Sequence, residues 1–177
     1  MTQHLQFTAF SRILHWTMAM LVLAMLFIGI GMVSSLSDYH WLVSIHRPLG
    51  ILILILVAIR LVNRLLNPAP PLPKDMPALL RFAAHASHVV LYALMFALPL
   101  VGWGMLSAAR YPIVLYGSLQ LPPILPHDAA LYAVLRTAHT ILALLLFATF
   151  IAHFAAALMH ALIYRDGVFP SMASWKA

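Results

Sequence analysis

Three histidines lie on one long apolar stretch of this 177-residue chain: His139, His153 and His160. An imidazole in such a setting is costly unless it binds something, because neither a bilayer nor a dry core offers it water. On a helix, the fourteen residues from His139 to His153 amount to about 1400°, roughly 40° short of four turns, and to about 21 Å of rise. The two rings therefore share a face at two depths. Seven more residues bring His160 back to that face, roughly 10 Å further on. Two other histidines, His15 and His46, each open another apolar stretch. One helix presenting imidazoles at two depths, with a partner for each, suits two stacked metal centres. Filling both axial positions of an iron favours electron transfer and leaves no open position for oxygen.

Two plainer readings compete. A histidine inside a span is often only a satisfied hydrogen-bonding group. Zinc is the other rival, but an all-histidine zinc site usually has three ligands converging at one depth.

Composition narrows the chemistry further. There is no cysteine, which excludes disulfides, iron–sulfur clusters, thiolate zinc and the C-x-x-C-H attachment of c-type haem. Any haem is therefore held noncovalently. Residues are 64% hydrophobic and 8% charged, with a mean hydropathy of +0.97. A soluble domain carries about 25% charged residues, so most of this surface faces something other than water. The net charge of +6 is spread over segment ends and not gathered in one patch, which indicates membrane topology and no nucleic-acid partner.

The elements that position the histidines follow from hydropathy. Crossing the hydrocarbon takes about 20 apolar residues as helix, and four spans meet this at 15–36, 46–66, 82–108 and 127–164. The fold class is thus all-α, an integral membrane four-helix bundle, and residues 1–177 form a single domain. The first apolar run is too long for a cleaved signal peptide and no small-residue cleavage site follows it. Residues 67–77 contain five prolines and form a stiff extended connector. Residues 110–126 are apolar but broken by Pro112, Pro122, Pro123 and Pro126, so they lie over helix ends. An even span count puts both termini on one side, with Arg12, Arg60, Arg64, Lys74, Arg81, Arg165 and Lys176. Arg47, Arg110 and Arg136 fall on the other. Seven against three places the termini in the cytoplasm.

Depth then selects pairs: His46 with His139 on the outer side, His15 with His153 on the inner side. Gly29, Gly31 and Gly50 offer either close approach of a flat ring to the backbone or helix–helix packing. His85 and His88 open the third span, where His88 competes with His15 for the inner centre. His4, His40 and His127 lie in terminal or loop segments and read as surface.

The chain resembles the bacterial cytochrome b561 family, small four-helix di-haem cytochromes of the inner membrane. The resemblance runs nearly end to end. It rests on Ile-Leu-His-Trp at 13–16, His-x-x-x-Gly at 46–50 leading to Arg60-Leu61, and the proline-rich connector ending Pro73-Lys74. It continues with Ala-His-x-x-His at 84–88, Tyr92, Ala-Leu-Pro-x-x-Gly at 97–102, Ala138-His139 and the run from His153 to His160. Membership implies two noncovalent haem b groups, one on His15 and His153 and one on His46 and His139. It also implies electron exchange with ubiquinone. One branch of the family is a superoxide oxidase, in which superoxide on the periplasmic face gives an electron that crosses both haems to ubiquinone.

On that footing, Arg47, Arg110 and Arg136 would pair haem propionates and form a positive entrance for superoxide, unless they only anchor helix ends at headgroups. Quinone reduction also consumes protons, which Lys74, His85, His88 and His160 are placed to supply; the resemblance favours Lys74 and His160. Two other functions stay open. One is a membrane anchor subunit relaying electrons between a dehydrogenase or hydrogenase and quinone, which the short loops disfavour. The other is a haem-free histidine-rich transporter, for which repeated halves or helices broken around a midplane site are expected.

Overall fold

The computed structural model describes residues 6–174, so His4 and Lys176 lie outside the described residues. Among the described residues, four helices are long and apolar enough to cross a membrane. They are α1 (Ala9–Ser34), α2 (Tyr39–Leu66), α3 (Ala78–Ala108) and α4 (Ala129–Leu158), the last extended by a π-helical turn over Met159–Tyr164. A short helix, α5 (Val168–Ala173), comes after it. The architecture is the all-α membrane bundle that hydropathy predicts.

The bundle runs up and down. The first half of α1, the second half of α2 and the middle of α3 meet where Arg60 bonds both His15 and Tyr92. At the opposite end, Gly31 abuts Leu42 and Gly102 abuts His139. Large apolar side chains such as Phe27, Ile55, Val89 and Leu144 point outward, as they must where a helix faces lipid.

One buried cluster draws on all four helices: Val22, Ile53, Leu94, Leu98 and Leu146. Its members fall seven residues after His15 (Val22), seven after His46 (Ile53) and midway between His139 and His153 (Leu146). Seven residues of helix rise about 10 Å. A dry apolar layer thus separates two histidine levels.

Helix starts differ from the hydropathy boundaries. Helix α1 begins at Ala9, not at position 15, because Thr8 caps it by accepting from the Ser11 amide, a device that satisfies an otherwise orphaned N–H. Ser11 and Arg12 are buried there. Asn63 of α2 donates to Ser11 Oγ at 2.7 Å, and Arg12 Nη1 donates to Gln6 Oε1 and to the Ser174 carbonyl. Helix α2 begins at Tyr39, ahead of its apolar run, and α3 directly after Pro77. Helix α4 starts after Asp128, whose carboxylate accepts from the Leu131 amide.

Residues 113–121 are not irregular. Ile113–Tyr116 (β1) pairs antiparallel with Leu119–Leu121 (β2) across Gly117 and Ser118, with Gly117 at φ 54°. A two-residue hairpin turn needs positive φ, which glycine supplies without a steric cost. The segment after the hairpin is fastened to α3. Trp103 Nε1 donates to the Pro122 carbonyl, the Ile124 amide donates to Ser107 Oγ, and His127 Nδ1 donates to the Ala108 carbonyl. The expectation that residues 110–126 lie over a helix end holds, and these three bonds are the means of attachment.

Candidate functional site

Both histidine pairings expected from depth are present as geometry. The rings of His15 (α1) and His153 (α4) have centroids 6.4 Å apart and are inclined at 66°. Those of His46 (α2) and His139 (α4) are 6.2 Å apart at 68°. An imidazole–metal–imidazole sandwich, with metal–nitrogen bonds of about 2 Å and ring radii of about 1.2 Å, spans roughly 6.3 Å between centroids. Both pairs meet that requirement. No group of three or more His, Cys, Asp or Glu side chains able to hold a metal ion occurs among the described residues.

The outer pair is held by backbone shape. Gly102 of α3 lets the His139 ring lie against the helix, since a Cβ there would come within 3.3 Å of Cε1. Nδ1 of His46 is buried without a hydrogen-bond partner. Nδ1 of His139 is buried beside the Leu98 backbone but outside hydrogen-bonding geometry. Arg47, next to His46, buries its Nε without a partner among the described residues. Unpaired buried polar groups are rare in folded proteins, and the Arg47 Nε–H is one of them, next to the His46–His139 pair. The acidic side groups of a haem are the kind of partner that guanidinium fits.

At the inner pair, Arg60 is the organising residue. It donates through Nη2 to His15 Nδ1 at 2.9 Å and through Nε to the Tyr92 hydroxyl at 3.1 Å. A guanidinium has only donors, so Nδ1 of His15 accepts. His88 lies closer to His153 than His15 does, with centroids 5.2 Å apart at 82°. Its Nδ1–H donates to the Ala84 carbonyl at 2.6 Å. That separation is short for a shared metal, so His88 lines the inner site beside the pair. His85 turns away, exposed, with Nδ1 on the Arg81 carbonyl.

The remaining residues singled out from sequence are scattered. Arg136 is exposed on α4, one turn before His139, and donates to the Tyr132 hydroxyl. Arg110 ends α3 in the left-handed region, φ 60°, and lines a cavity of about 350 Å³ with Trp103, Tyr111 and the hairpin. Gly50 faces Met25 at ordinary contact distance, and Gly29 has no neighbour within 4 Å. Lys74 is exposed in the connector, its carbonyl accepting from Arg81. His160 sits in the π-turn at the inner end, paired with Asp166. Of the surface histidines, His40 is exposed, while His127 is bonded to α3.

From sequence, Arg60 is only a charge that sets the topology and part of a family motif, although a signal for more exists. Arg60 follows His46 by fourteen residues on α2, the spacing that put His139 and His153 on one face of α4. Asp166 was passed over too, in a chain with only four acidic residues.

A four-helix membrane bundle with paired histidines at two levels is an arrangement suited to b-type haem. The comparisons agree: residues 6–175 match the family described as prokaryotic cytochrome b561, and the chain belongs to it. It is 33% identical over 162 residues to cytochrome b561 homolog 2 of Escherichia coli (strain K12), covering 89% of this chain and 86% of that protein. It is 31% identical over 155 residues to a protein of Yersinia pestis named probable superoxide oxidase CybB, covering 86% and 87%. Membership makes this a bacterial membrane protein of electron transport that binds b-type haem.

Proposed function

We propose that the chain holds two haem b groups and passes electrons from superoxide, on the periplasmic face, to ubiquinone. The observation that carries this is the two imidazole pairs, 6.4 Å and 6.2 Å between centroids, on either side of the apolar layer at Leu146. His15 and His153 hold the inner haem, and His46 and His139 the outer. Bound there, haem b supplies reversible one-electron transfer.

The chain's own residues do the rest. The dry layer of Val22, Ile53, Leu94, Leu98 and Leu146 keeps water and protons out of the interval between the two levels. Arg47, Arg110 and Arg136 sit at the end that carries His46 and His139, where positive charge raises the encounter rate of an anion. Buried Arg47 is also suited to a haem propionate. Lys74 and His160 belong to the opposite end, where they supply protons. The likeness to a relative named for superoxide oxidation supports the choice of donor. Two superoxide ions yield two molecules of oxygen and two electrons; one ubiquinone takes these with two protons to give ubiquinol. With seven basic residues against three, the positive-inside rule puts both termini in the cytoplasm.

Stopped-flow mixing of the purified protein with superoxide tests this reading. Fast haem reduction, followed by quinol formation when ubiquinone is added, is the expected result. Haems that superoxide leaves oxidised, but that a soluble dehydrogenase reduces, would transfer the assignment to a membrane anchor subunit.

A further inference from the structure

At its inner end α4 widens into the Met159–Tyr164 π-turn, closed by the Arg165 amide donating to the His160 carbonyl at 2.9 Å. Such turns are rare and gather at functional sites. Two residues in the left-handed region, Arg165 at φ 51° and Gly167 at φ 83°, then reverse the chain. The reversal folds Asp166 back onto His160. His160 Nδ1 donates to Asp166 Oδ2 at 2.6 Å, and the Val168 amide, which opens α5, donates to Oδ1 at 3.1 Å. The two side chains are 15% and 21% exposed, so water competes little for this bond. The groups around it are the Tyr164 ring, 5.4 Å from the imidazole, and Arg165, whose Nε is engaged by the Leu162 carbonyl. Helix α5 itself carries no titratable residue, and Arg12 of α1 is tied to the Ser174 carbonyl at its end.

We propose that Asp166 is a positioning residue that fixes His160 with its proton on Nδ1 and Nε2 as the nitrogen that delivers protons to quinone. This rests on the reading of His160 as a proton donor. A carboxylate only accepts, so Nδ1 keeps its hydrogen throughout. Protonated Nε2 gives its hydrogen to a quinone oxygen: the N–H bond breaks, the O–H bond forms, and a proton from the aqueous side restores Nε2. The electrons come from the cytochrome's own transfer. Asp166 uses both oxygens as acceptors, and an asparagine has only one. Asn at 166 keeps either the Val168 amide or the His160 Nδ1–H satisfied, and turns its NH₂ on the other. Where the NH₂ meets Nδ1, the imidazole must carry its hydrogen on Nε2 when neutral, the wrong tautomer for taking up a proton there.

The test uses the full-length haem-loaded protein, a superoxide source and a short-chain ubiquinone, with Asp166→Asn, Asp166→Glu and His160→Gln. We expect Asp166→Asn to keep its haem bands and its rate of haem reduction. Its kcat for quinol formation should fall at least about tenfold, the usual scale for groups that orient a working histidine, with KM for quinone nearly unchanged. Asp166→Glu should recover most of the rate. Full kcat in Asp166→Asn alongside a slow His160→Gln overturns the positioning role and leaves the quinone reading standing. Full kcat in His160→Gln removes both. Should Asp166→Asn not assemble, Asp166→Glu decides: normal haem bands with recovered kcat support the role. A kcat as low as that of His160→Gln, or failure of this variant also to assemble, marks Asp166 as a structural cap and overturns it.

Discussion

A Cβ on Gly102 would sit 3.3 Å from Cε1 of His139 and 3.5 Å from its Nδ1. The imidazole therefore owes its place to the missing side chain. Gly102→Ala should displace the ring by a few tenths of an ångström and perturb the outer haem spectrum. Gly102→Leu should expel that haem and leave the inner one bound, as pyridine haemochrome assay and reduced-minus-oxidised spectra would report. Equal loss of both haems from Gly102→Leu would mean that the helix, not the site, had failed.

Arg110 occupies a position that glycine usually fills. The Tyr111 amide donates to the Leu106 carbonyl and the Arg110 amide to that of Ser107, the Schellman closure of a helix end, whose turning residue takes positive φ. An arginine there costs about 1 kcal/mol relative to glycine. Arg110→Gly should thus leave thermal stability equal or slightly raised, while slowing haem reduction by superoxide several-fold at low salt. Raising the ionic strength should close the gap, because screening removes steering. A rate unchanged at low salt would assign Arg110 to headgroup anchoring.

Arg60 places a permanent positive charge against His15, with the Tyr92 hydroxyl on its other side. Positive charge near an iron favours the reduced state. Arg60→Met should therefore lower the inner haem's midpoint potential by tens of millivolts, where about 59 mV corresponds to a tenfold change for one electron. The outer haem's potential should stay put. Redox titration separates the two, and a shift confined to the outer haem would contradict the assignment of levels.

His88 lies 5.2 Å from His153 and ties its own Nδ1 to Ala84. It lines the inner site and is not expected to ligate. His88→Ala should retain both haems with at most a small spectral shift. Loss of the inner haem would make His88, and not His15, the partner of His153.

The spans, and the shared face of His139 and His153 on α4, were legible because both are periodic. Apolar length marks a crossing, and a fourteen-residue interval repeats a helix face whatever surrounds it. The features that were not legible depend on contacts distant in sequence. Arg12 reads as a charge ahead of the first span, and its burial at the start of α1, bonded to the Ser174 carbonyl 162 positions away, is not readable from that pattern. The hairpin was hidden by the prolines that flank it, although Gly117-Ser118 between two apolar runs is a turn signal that can be read. Asp166 meets His160 only because a π-turn and two left-handed residues reverse the chain, and no hydropathy pattern encodes that.

The most direct measurement is haem content per chain, set beside the absorbance spectra of single-ligand variants. Two haem b per chain are expected in the unaltered protein, with low-spin bis-histidine bands. His46→Ala and His139→Ala should each lose the outer haem alone, and His15→Ala and His153→Ala the inner haem alone. One haem per chain in the unaltered protein, or two retained in His15→Ala, would contradict the account.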